Sequence, residues 1–444
     1  TSVFALGGAL GGAAAFIFAL YYERPFGQHG AESGLLAFTA AVLGGVGSPF
    51  GALAGGILLG MVGSFSDYFL PAQWTPVLVL AILIALLTLR PTGLSGEGAI
   101  EGAQAEVGSQ QAAVRPAGRW QALRERWARE GGQRRWMWPA LLAVAATYPL
   151  FDGAFGLHRV AIVNGLLVFV LLALGLNIVL GMAGMLDLGF AACFAVGGYA
   201  AALVLATRQA DFVVALLAGI VAAALFGALN GILTLRLRGD YLAVVALAFG
   251  QLVPRVVVNL SAWTGGAVGL SALPAPSVAG QTFATQGQRF YLVLALVALV
   301  ALASVRLSRS RLGRAWAALS VDELAAQSCG ISLVQVKPLA FVLGAAVAGV
   351  AAALSAGVFG YVNPDQSEFR VSAIVLAMVV VGGTGSVPGA ILGALLIGAY
   401  DQILLPQLGD WIDRTGSGFQ ISTLNYLSFG LALYLTVLWR GRRS

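Results

Sequence analysis

Long apolar runs recur along almost the whole 444-residue chain and set its fold class. A run of about 20 apolar residues can cross a bilayer as a helix, and a shorter run can cross part of it. About fourteen such runs are recognisable by hydropathy, at residues 3–22, 33–46, 50–66, 73–90, 137–152, 159–181, 187–206, 212–235, 240–260, 289–307, 335–357, 368–382, 387–404 and 421–439. Charged residues make up only 10% of the chain and hydrophobic residues 59%. The runs lack the alternation of barrel strands, so we predict an all-α, polytopic transmembrane helical bundle.

The arginines are distributed unequally between the two sides of this predicted bundle. All but one of the 25 basic residues are arginine. Following the spans alternately across the membrane puts most of them on one side, namely within 90–135 and 306–314 and at Arg236, Arg238, Arg440, Arg442 and Arg443. The positive-inside rule makes this side cytoplasmic. The net charge of +6 follows from this topology, so it gives no reason to expect a nucleic-acid partner.

One polar stretch interrupts the apolar pattern after the fourth predicted span. Residues 91–135 begin weakly acidic and end with seven arginines from Arg115 onward. A stretch with so few apolar residues cannot form a packed core, so we interpret it as a cytoplasmic linker. The prediction is therefore three parts: a four-span part at 1–95, a linker at 96–136, and a part of about ten spans at 137–444.

A glycine-rich stretch occurs once in each membrane part. The sequences "GGVGSPFGALAGGILLG" (44–60) and "GGTGSVPGAILGALLIG" (382–398) share nine of seventeen positions. The match extends upstream, where "FALGG" at Phe4 aligns with "FVLGA" at Phe341. The spans before the linker thus match the last four of the chain, and we predict an internal repeat of the C-terminal four-helix part. Its small residues would permit close helix contacts in lipid.

Five polar residues inside the predicted spans are candidates for a translocation path, because such residues are costly in lipid unless they face a partner or a path. They are Asn177, Asp187, Gln251, Arg255 and Asn259. The last three recur every four residues and share one helix face. Glycines around "GMAGM" predict a helix break between the first two. Lining a path and pairing with another buried polar group both remain open for these residues.

The predicted cytoplasmic loop 306–336 carries the signals of a short surface helix. Ser320 and Glu323 have the S-x-x-E spacing of a capping box, which begins a helix. Gly330 follows at the position of a left-handed helix terminator. We predict an exposed helix of about ten residues between these signals.

Four stretches of the second part carry a family resemblance. They are "LALGLNIVLGMAGMLDLGFAACFAVGGYAAAL" (172–203), "LRLRGDYLAVVALAFGQLV" (235–253), "TGGAVGL" (264–270) and "GRAWAALSVDELAAQSCGI" (313–331). They closely resemble the permease subunits of bacterial ABC importers of the branched-chain amino-acid type. Residues 137–440 resemble a complete subunit of the LivM kind, and residues 1–95 resemble the C-terminal part of its LivH-kind partner. The chain thus looks like a fusion of two homologous permeases, which would explain the duplicated stretch.

The resemblance implies a multi-pass protein of the bacterial inner membrane that works with cytoplasmic ATPase subunits and a periplasmic solute-binding protein. In that family an E-A-A…G loop docks into the ATPase. Here the matching residues read "ELAAQSCG", with Glu323, Ala325, Ala326 and Gly330. Membrane lipid and a further permease copy are the other partners implied. The outer loop 261–289 would receive the binding protein.

The chain lacks sequence motifs for ATP hydrolysis and for metal binding. The sole lysine, Lys337, follows valine, so no G-x-x-x-x-G-K-[ST] phosphate loop exists and ATP hydrolysis would come from another subunit. His29 and His158 are isolated in sequence and form no metal-ligand pattern. We therefore expect a transport component without catalytic residues, cofactor or metal, rather than an enzyme.

The residues leave the transported solute open. Branched-chain or related amino acids are the first expectation, and urea or short amides are an alternative, since related permeases serve them. An ion-coupled secondary transporter and a non-transporting membrane scaffold are rivals of other classes. The loop with "ELAA" argues against the first rival, and buried Asn177, Asp187 and Arg255 argue against the second.

The four-span part has no counterpart of "LALGLNIVLGMAG" or of the "ELAA" loop, and residue 1 is threonine. We therefore expect that the chain is a piece of a longer fused permease.

Overall fold

The computed structural model describes residues 2–22, 29–45, 48–89, 146–149, 151–153, 156, 159–206, 211–236, 240–278 and 280–407. In the first part the helices are α1 (Ser2–Tyr22), α2 (His29–Gly44), α3 (Pro49–Phe69) and α4 (Thr75–Leu89), with a 3₁₀ turn at Ala72–Trp74 before α4. The second part contains α5 (Val160–Leu176), α6 (Phe190–Ala206), α7 (Phe212–Leu233), α8 (Asp240–Asn259), α9 (Ser261–Thr264), α10 (Gln286–Arg309), α11 (Arg311–Leu319), α12 (Glu323–Ser328), α13 (Leu333–Phe359), α14 (Phe369–Gly382) and α15 (Val387–Ala399). The predicted linker at 96–136 and the predicted span at 421–439 lie outside the described residues.

Within those described ranges, six helical segments are long and apolar enough to cross a membrane, namely Pro49–Phe69, Val160–Met182, Phe212–Leu233, Gln286–Arg309, Leu333–Phe359 and Val387–Gln407. Five shorter apolar helices accompany them, at Ala5–Leu20, Ala72–Thr88, Phe190–Ala206, Val245–Asn259 and Phe369–Gly382. The described strands are the two-residue pair β1 (Ser277–Val278) and β2 (Gln281–Thr282). The prediction of an all-α, multi-pass membrane protein is confirmed.

Helix α13 lies at the centre of the second part, where it packs against α5, α6 and α7. Glycines allow these close approaches. A Cβ on Gly175 of α5 would lie 2.9 Å from the carbonyl oxygen of Gly344, and one on Gly219 of α7 would lie 3.3 Å from that of Gly349. Packing of this kind replaces the hydrophobic effect as the force that holds helices together in lipid.

The two membrane parts meet where α4 packs against α8. The facing surfaces are largely apolar, with Leu83 and Leu87 of α4 and Val253 and Val257 of α8 all buried. At one end of this contact the Asn259 side-chain amide donates a hydrogen bond to a backbone carbonyl of the 3₁₀ turn before α4. By contrast, α1 is exposed along most of its length.

The two glycine-rich stretches begin their helices with the same cap. Ser48 precedes α3 and its hydroxyl accepts from the Gly51 N–H at 3.1 Å. Ser386 precedes α15 and accepts from the Gly389 N–H at 3.2 Å. Each helix also has a proline in its first turn, where the missing N–H costs no helical hydrogen bond.

The turns before these caps also share their backbone conformation. Gly45 has φ of 110° and Gly383 has φ of 106°, in a region that L side chains rarely adopt. A Cβ on Gly44 would overlap the Gly51 carbonyl, and a Cβ on Gly382 would overlap the corresponding carbonyl of α15. Both turns therefore require glycine for the same two reasons, conformation and close approach.

Candidate coupling segment and intramembrane break

Helix α12, in the loop predicted to be cytoplasmic, begins with a different cap from the one the sequence predicted. The Asp322 side chain accepts hydrogen bonds from the N–H groups of Leu324 and Ala325, at 2.8 and 3.1 Å. Ser320 instead ends α11, and its hydroxyl donates to a carbonyl of that helix. The capping box from Ser320 to Glu323 is therefore wrong. Because α12 begins only at Glu323 and ends at Ser328, it has six residues rather than about ten.

Glu323 makes an ion pair instead of a cap. Its Oε1 atom lies 2.7 Å from the Nζ atom of Lys337, in the first turns of α13. The lysine side chain is only 7% exposed and that of the glutamate 35%. Sequence reasoning missed Lys337 as a site residue. The signal that could have found it is the chain's sole lysine, placed at the start of a membrane span where an unpaired ammonium would be costly.

The end of α12 agrees with its predicted terminator. Gly330 has φ of 85° and its N–H bonds to the Gln327 carbonyl at 2.9 Å. The Ile331 N–H reaches back to the carbonyl of Ala326 at 3.1 Å, which is the longer bond of a Schellman-type end. Ala326 is buried, whereas Ala325 and the large apolar side chain of Leu324 are exposed.

A tryptophan attaches the preceding helix α11 to the membrane part. Trp316 is fully buried, and its indole Nε1 donates a hydrogen bond to the carbonyl oxygen of Val336 at 2.8 Å. The carbonyl that accepts this bond belongs to the residue directly before Lys337. Helices α11 and α12 are thus attached to neighbouring residues of α13.

Helix α5 changes its geometry where the sequence predicted a break. It continues as a π-helical turn at Asn177–Met182, closed by a bond from the Ala183 N–H to the Ile178 carbonyl at 3.2 Å. A non-helical stretch then leads to α6 at Phe190. The predicted interruption between Asn177 and Asp187 is confirmed, and π-helical turns of this kind are frequent at functional sites.

Asn177 is fully buried and binds the second glycine-rich turn. Its Oδ1 atom accepts a hydrogen bond from the Gly385 N–H at 2.9 Å. Its Nδ2 group has no partner within the described residues. Gly181, one helical turn on, has no room for a Cβ against the same side chain. In this conformation Asn177 therefore pairs with the backbone of the turn rather than facing open space.

Asp187 is also buried, within the interruption itself. Its Oδ1 accepts from the Gly189 N–H at 2.9 Å, while Oδ2 has no hydrogen-bond partner among the residues described. Gly189 packs directly on the backbone of α8, where a Cβ would overlap the Ala246 carbonyl. The interruption therefore touches α8 one turn from Gln251.

The three polar residues predicted on α8 are half-buried and have different surroundings. Asn259 faces the four-span part, since its Nδ2 donates to the Gln73 carbonyl at 2.8 Å. Gln251 follows Gly250, whose Cβ position would lie 3.0 Å from the Cα of Gly189. The α8 face thus runs from the interruption near Gln251 to the contact between the two membrane parts at Asn259.

The end of α11 and the interruption after α5 are in direct contact. A Cβ on Gly184, which has φ of 73°, would lie 2.7 Å from the Cβ of Ser320 at the end of α11. This proximity could not be predicted from sequence, since four membrane helices lie between the two residues along the chain. As for metals, the described residues contain no group of three or more His, Cys, Asp or Glu side chains that could hold an ion.

Comparison with protein families gives the class of this bundle. The family model described as "Branched-chain amino acid transport system / permease component" matches residues 1–87 and 158–437. The chain belongs to this family of permease components. The two matched segments leave out residues 88–157, which include the whole predicted linker.

Individual relatives match in two groups. The chain is 38% identical over 282 residues to the "High-affinity branched-chain amino acid transport system permease protein LivM" of Salmonella typhimurium, covering 58% of this chain and 65% of that protein. BraD of Pseudomonas aeruginosa, named as a permease protein of the same kind of system, is 29% identical over 61% of this chain and 94% of its own. LivH of Salmonella typhimurium is 37% identical over 98 residues, which is 22% of this chain and 32% of that relative. The chain thus spans just under two thirds of LivM and about a third of LivH. No solved structure matches it significantly.

Proposed function

We propose that this chain is the transmembrane permease component of an ABC importer that moves branched-chain or related amino acids across a bacterial inner membrane. The observation that carries the proposal is the family membership, which covers both membrane parts. LivM, BraD and LivH are all named as permeases of high-affinity branched-chain amino acid transport systems.

The cytoplasmic segment supports the proposal that separate ATPase subunits drive transport. Exposed apolar side chains lie in the turn after α11, on α12 and in the first turn of α13, on the side that the arginine distribution predicts to be cytoplasmic. Val321 and Leu324 are each 64% exposed, and Val334 of the following turn is 68% exposed. Such a cluster suits a docking surface for a partner protein. Glu323, Ala325, Ala326 and Gly330 would form the coupling loop around it.

The intramembrane break supports a translocation path beside α8. Asn177 and Asp187 each keep one buried polar atom without a hydrogen-bond partner in the described part of the chain. Buried groups of this kind are costly and mark functional positions in membrane proteins. Together with Gln251, Arg255 and Asn259, they would line the path or reposition during transport.

The shared geometry of the two glycine-rich turns supports the proposed internal repeat. Under this proposal the chain has about fourteen spans, divided into a LivH-like part at 1–95, a linker at 96–136 and a LivM-like part at 137–444. Helix α1 then corresponds to α13. Gly344 of α13 is packed against α5, whereas the aligned Gly7 of α1 meets nothing within 4 Å. A further permease copy that covers α1 is therefore part of the proposal.

Reconstituted transport tests the proposed function. The chain would be placed in proteoliposomes with its cognate ATPase subunits and periplasmic binding protein, and uptake of labelled leucine would be followed. We expect uptake that requires ATP and the binding protein and is unaffected by collapsing ion gradients. Uptake driven by an ion gradient without ATP would instead identify a secondary transporter. Competition by urea or short amides rather than by amino acids would change the substrate class.

A further inference from the structure

The ion pair between Glu323 and Lys337 links a surface helix to the central helix of the bundle. Helix α12 has only six residues, too few to be stable by its own hydrogen bonds. The Asp322 side chain caps α12 itself, and the Asp322 N–H donates to the Ala318 carbonyl of α11 at 3.3 Å, so neither bond reaches a membrane helix. The charged contact at 2.7 Å is therefore the direct polar attachment of α12 to the membrane part that the described residues show.

The burial of Lys337 separates this pair from an ordinary surface salt bridge. Exposed ion pairs contribute little to the free energy of folding, because water screens both charges. Here the lysine side chain is 7% exposed, so removal of the glutamate would leave a nearly buried charge without compensation. The geometry of α12 and the cost of burying this lysine therefore depend on each other.

Helix α13, which carries Lys337, is packed closely against its neighbours. Lys337 lies near the start of α13, which runs for 27 residues through the bundle with most of its side chains buried. At Gly344 and Gly349, α13 approaches α5 and α7 so closely that neither position has room for a Cβ atom. Close-packed interiors shift as units rather than deform locally. A displacement applied at Lys337 would thus reach α5 and the break that follows it.

We propose that Lys337 is a positioning residue for energy coupling: its ion pair with Glu323 joins α12 to α13, so that movement of α12 by a docked ATPase is passed to the bundle core. The hydrogen bond from Trp316 to Val336 holds α11 to the adjacent residue and acts in parallel. This inference rests on the proposed function. It adds a specific role for a residue that the E-A-A…G pattern does not contain.

The first experiment examines the attachment in the chain alone. Hydrogen exchange of the amides in α12 would be compared for the wild type, Lys337→Gln, Glu323→Gln and the exchanged pair Glu323→Lys with Lys337→Glu. We expect exchange in α12 to rise about tenfold in each single variant, within the range of coupling between two sites. The exchanged pair should restore most of the protection. Unchanged exchange in both single variants would overturn the attachment.

The second experiment examines coupling in the reconstituted transporter, with ATPase binding and uptake per ATP hydrolysed measured separately. We expect Lys337→Gln, whose site lies outside the coupling loop, to bind the ATPase almost normally but to lose about tenfold in uptake per ATP. Asp322→Asn is the matched control, because it removes a charge one residue away while keeping an acceptor for the cap. Its uptake should stay near that of the wild type.

The outcomes separate the two proposals. Normal uptake per ATP in Lys337→Gln would overturn the positioning role while leaving the importer proposal intact. Equal loss in Asp322→Asn would show that charge or helix content, rather than the pair, matters, and would also overturn it. Absence of ATP-dependent uptake by the wild-type chain would contradict the proposed function. The hydrogen-exchange experiment would still decide whether the ion pair holds α12.

Discussion

Asn177 Oδ1 accepts a hydrogen bond from the backbone N–H of Gly385, although 208 positions separate the two residues. The bond fixes the π-helical end of α5 to the turn between α14 and α15. That turn belongs to the second glycine-rich stretch. The stretch therefore does more than connect two helices. It presents a backbone donor to the point where a membrane helix is interrupted.

Removing this acceptor should destabilise the bundle. Asn177→Leu keeps a similar volume but leaves the half-buried Gly385 N–H without its acceptor, which costs about 0.5–1.5 kcal/mol. Thermal unfolding of the detergent-purified chain would measure the loss. Asn164→Leu is the matched control, since Asn164 is equally buried but its contacts to Gln286 are long, at 3.4 and 3.5 Å. An equal loss in both variants would contradict a specific role for the Asn177 bond.

Alanine at the turn glycines should be tolerated very unequally. Gly44→Ala and Gly382→Ala each place a Cβ onto a backbone carbonyl that cannot move aside, so each should cost about 1–3 kcal/mol or more. Gly60→Ala lies in the same stretch but meets nothing within 4 Å, and the helix should gain slightly from the replacement. Expression level and unfolding temperature would be compared. Similar behaviour of Gly44→Ala and Gly60→Ala would contradict the close approach.

Membrane class and the glycine-rich turns could be predicted from sequence because both depend on local patterns. Apolar runs report the solvent directly, and a serine between glycines and a helix reports a cap. Gly330 was predictable for the same reason, since only glycine readily adopts its left-handed conformation. These features need no knowledge of what lies on the other side of the bundle.

The contacts of the candidate site could not be predicted, because they join distant parts of the chain. Ser320 and Asp322 both offer a side-chain oxygen near the start of α12, and α11 ends too close for Ser320 to serve. In sequence terms Lys337 indicates only that a phosphate loop is absent, because valine rather than glycine precedes it. Its pairing with Glu323 depends on how the start of α13 is placed relative to α12. The hydrophobic periodicity of the sequence does not encode that placement.

The proposed topology predicts which positions an impermeant thiol reagent can reach from outside. The native thiols are the buried Cys193 and the exposed Cys329, which follows α12 on the predicted cytoplasmic side. The native chain should therefore remain unlabelled in intact spheroplasts and become labelled in inverted vesicles. Gln281→Cys, in the exposed β2 strand, should show the opposite preference for its new thiol. Labelling of Cys329 from outside would invert the assignment of the two sides.

Docking of the ATPase should depend on the apolar side chain of Leu324. This side chain is 64% exposed on α12 and makes no contribution to the cap or to the ion pair. Its burial by a partner would contribute about 1.5–3 kcal/mol, so Leu324→Ser should weaken ATPase binding about tenfold or more. Leu324→Met is the matched control, because it preserves apolar surface and helix propensity. Binding of the purified ATPase to the membrane-inserted chain would be titrated for each form. If the serine and methionine forms bind as tightly as the wild type, the partner does not use this face of α12. If only the serine form is weakened while its unfolding temperature is unchanged, Leu324 contacts the partner directly.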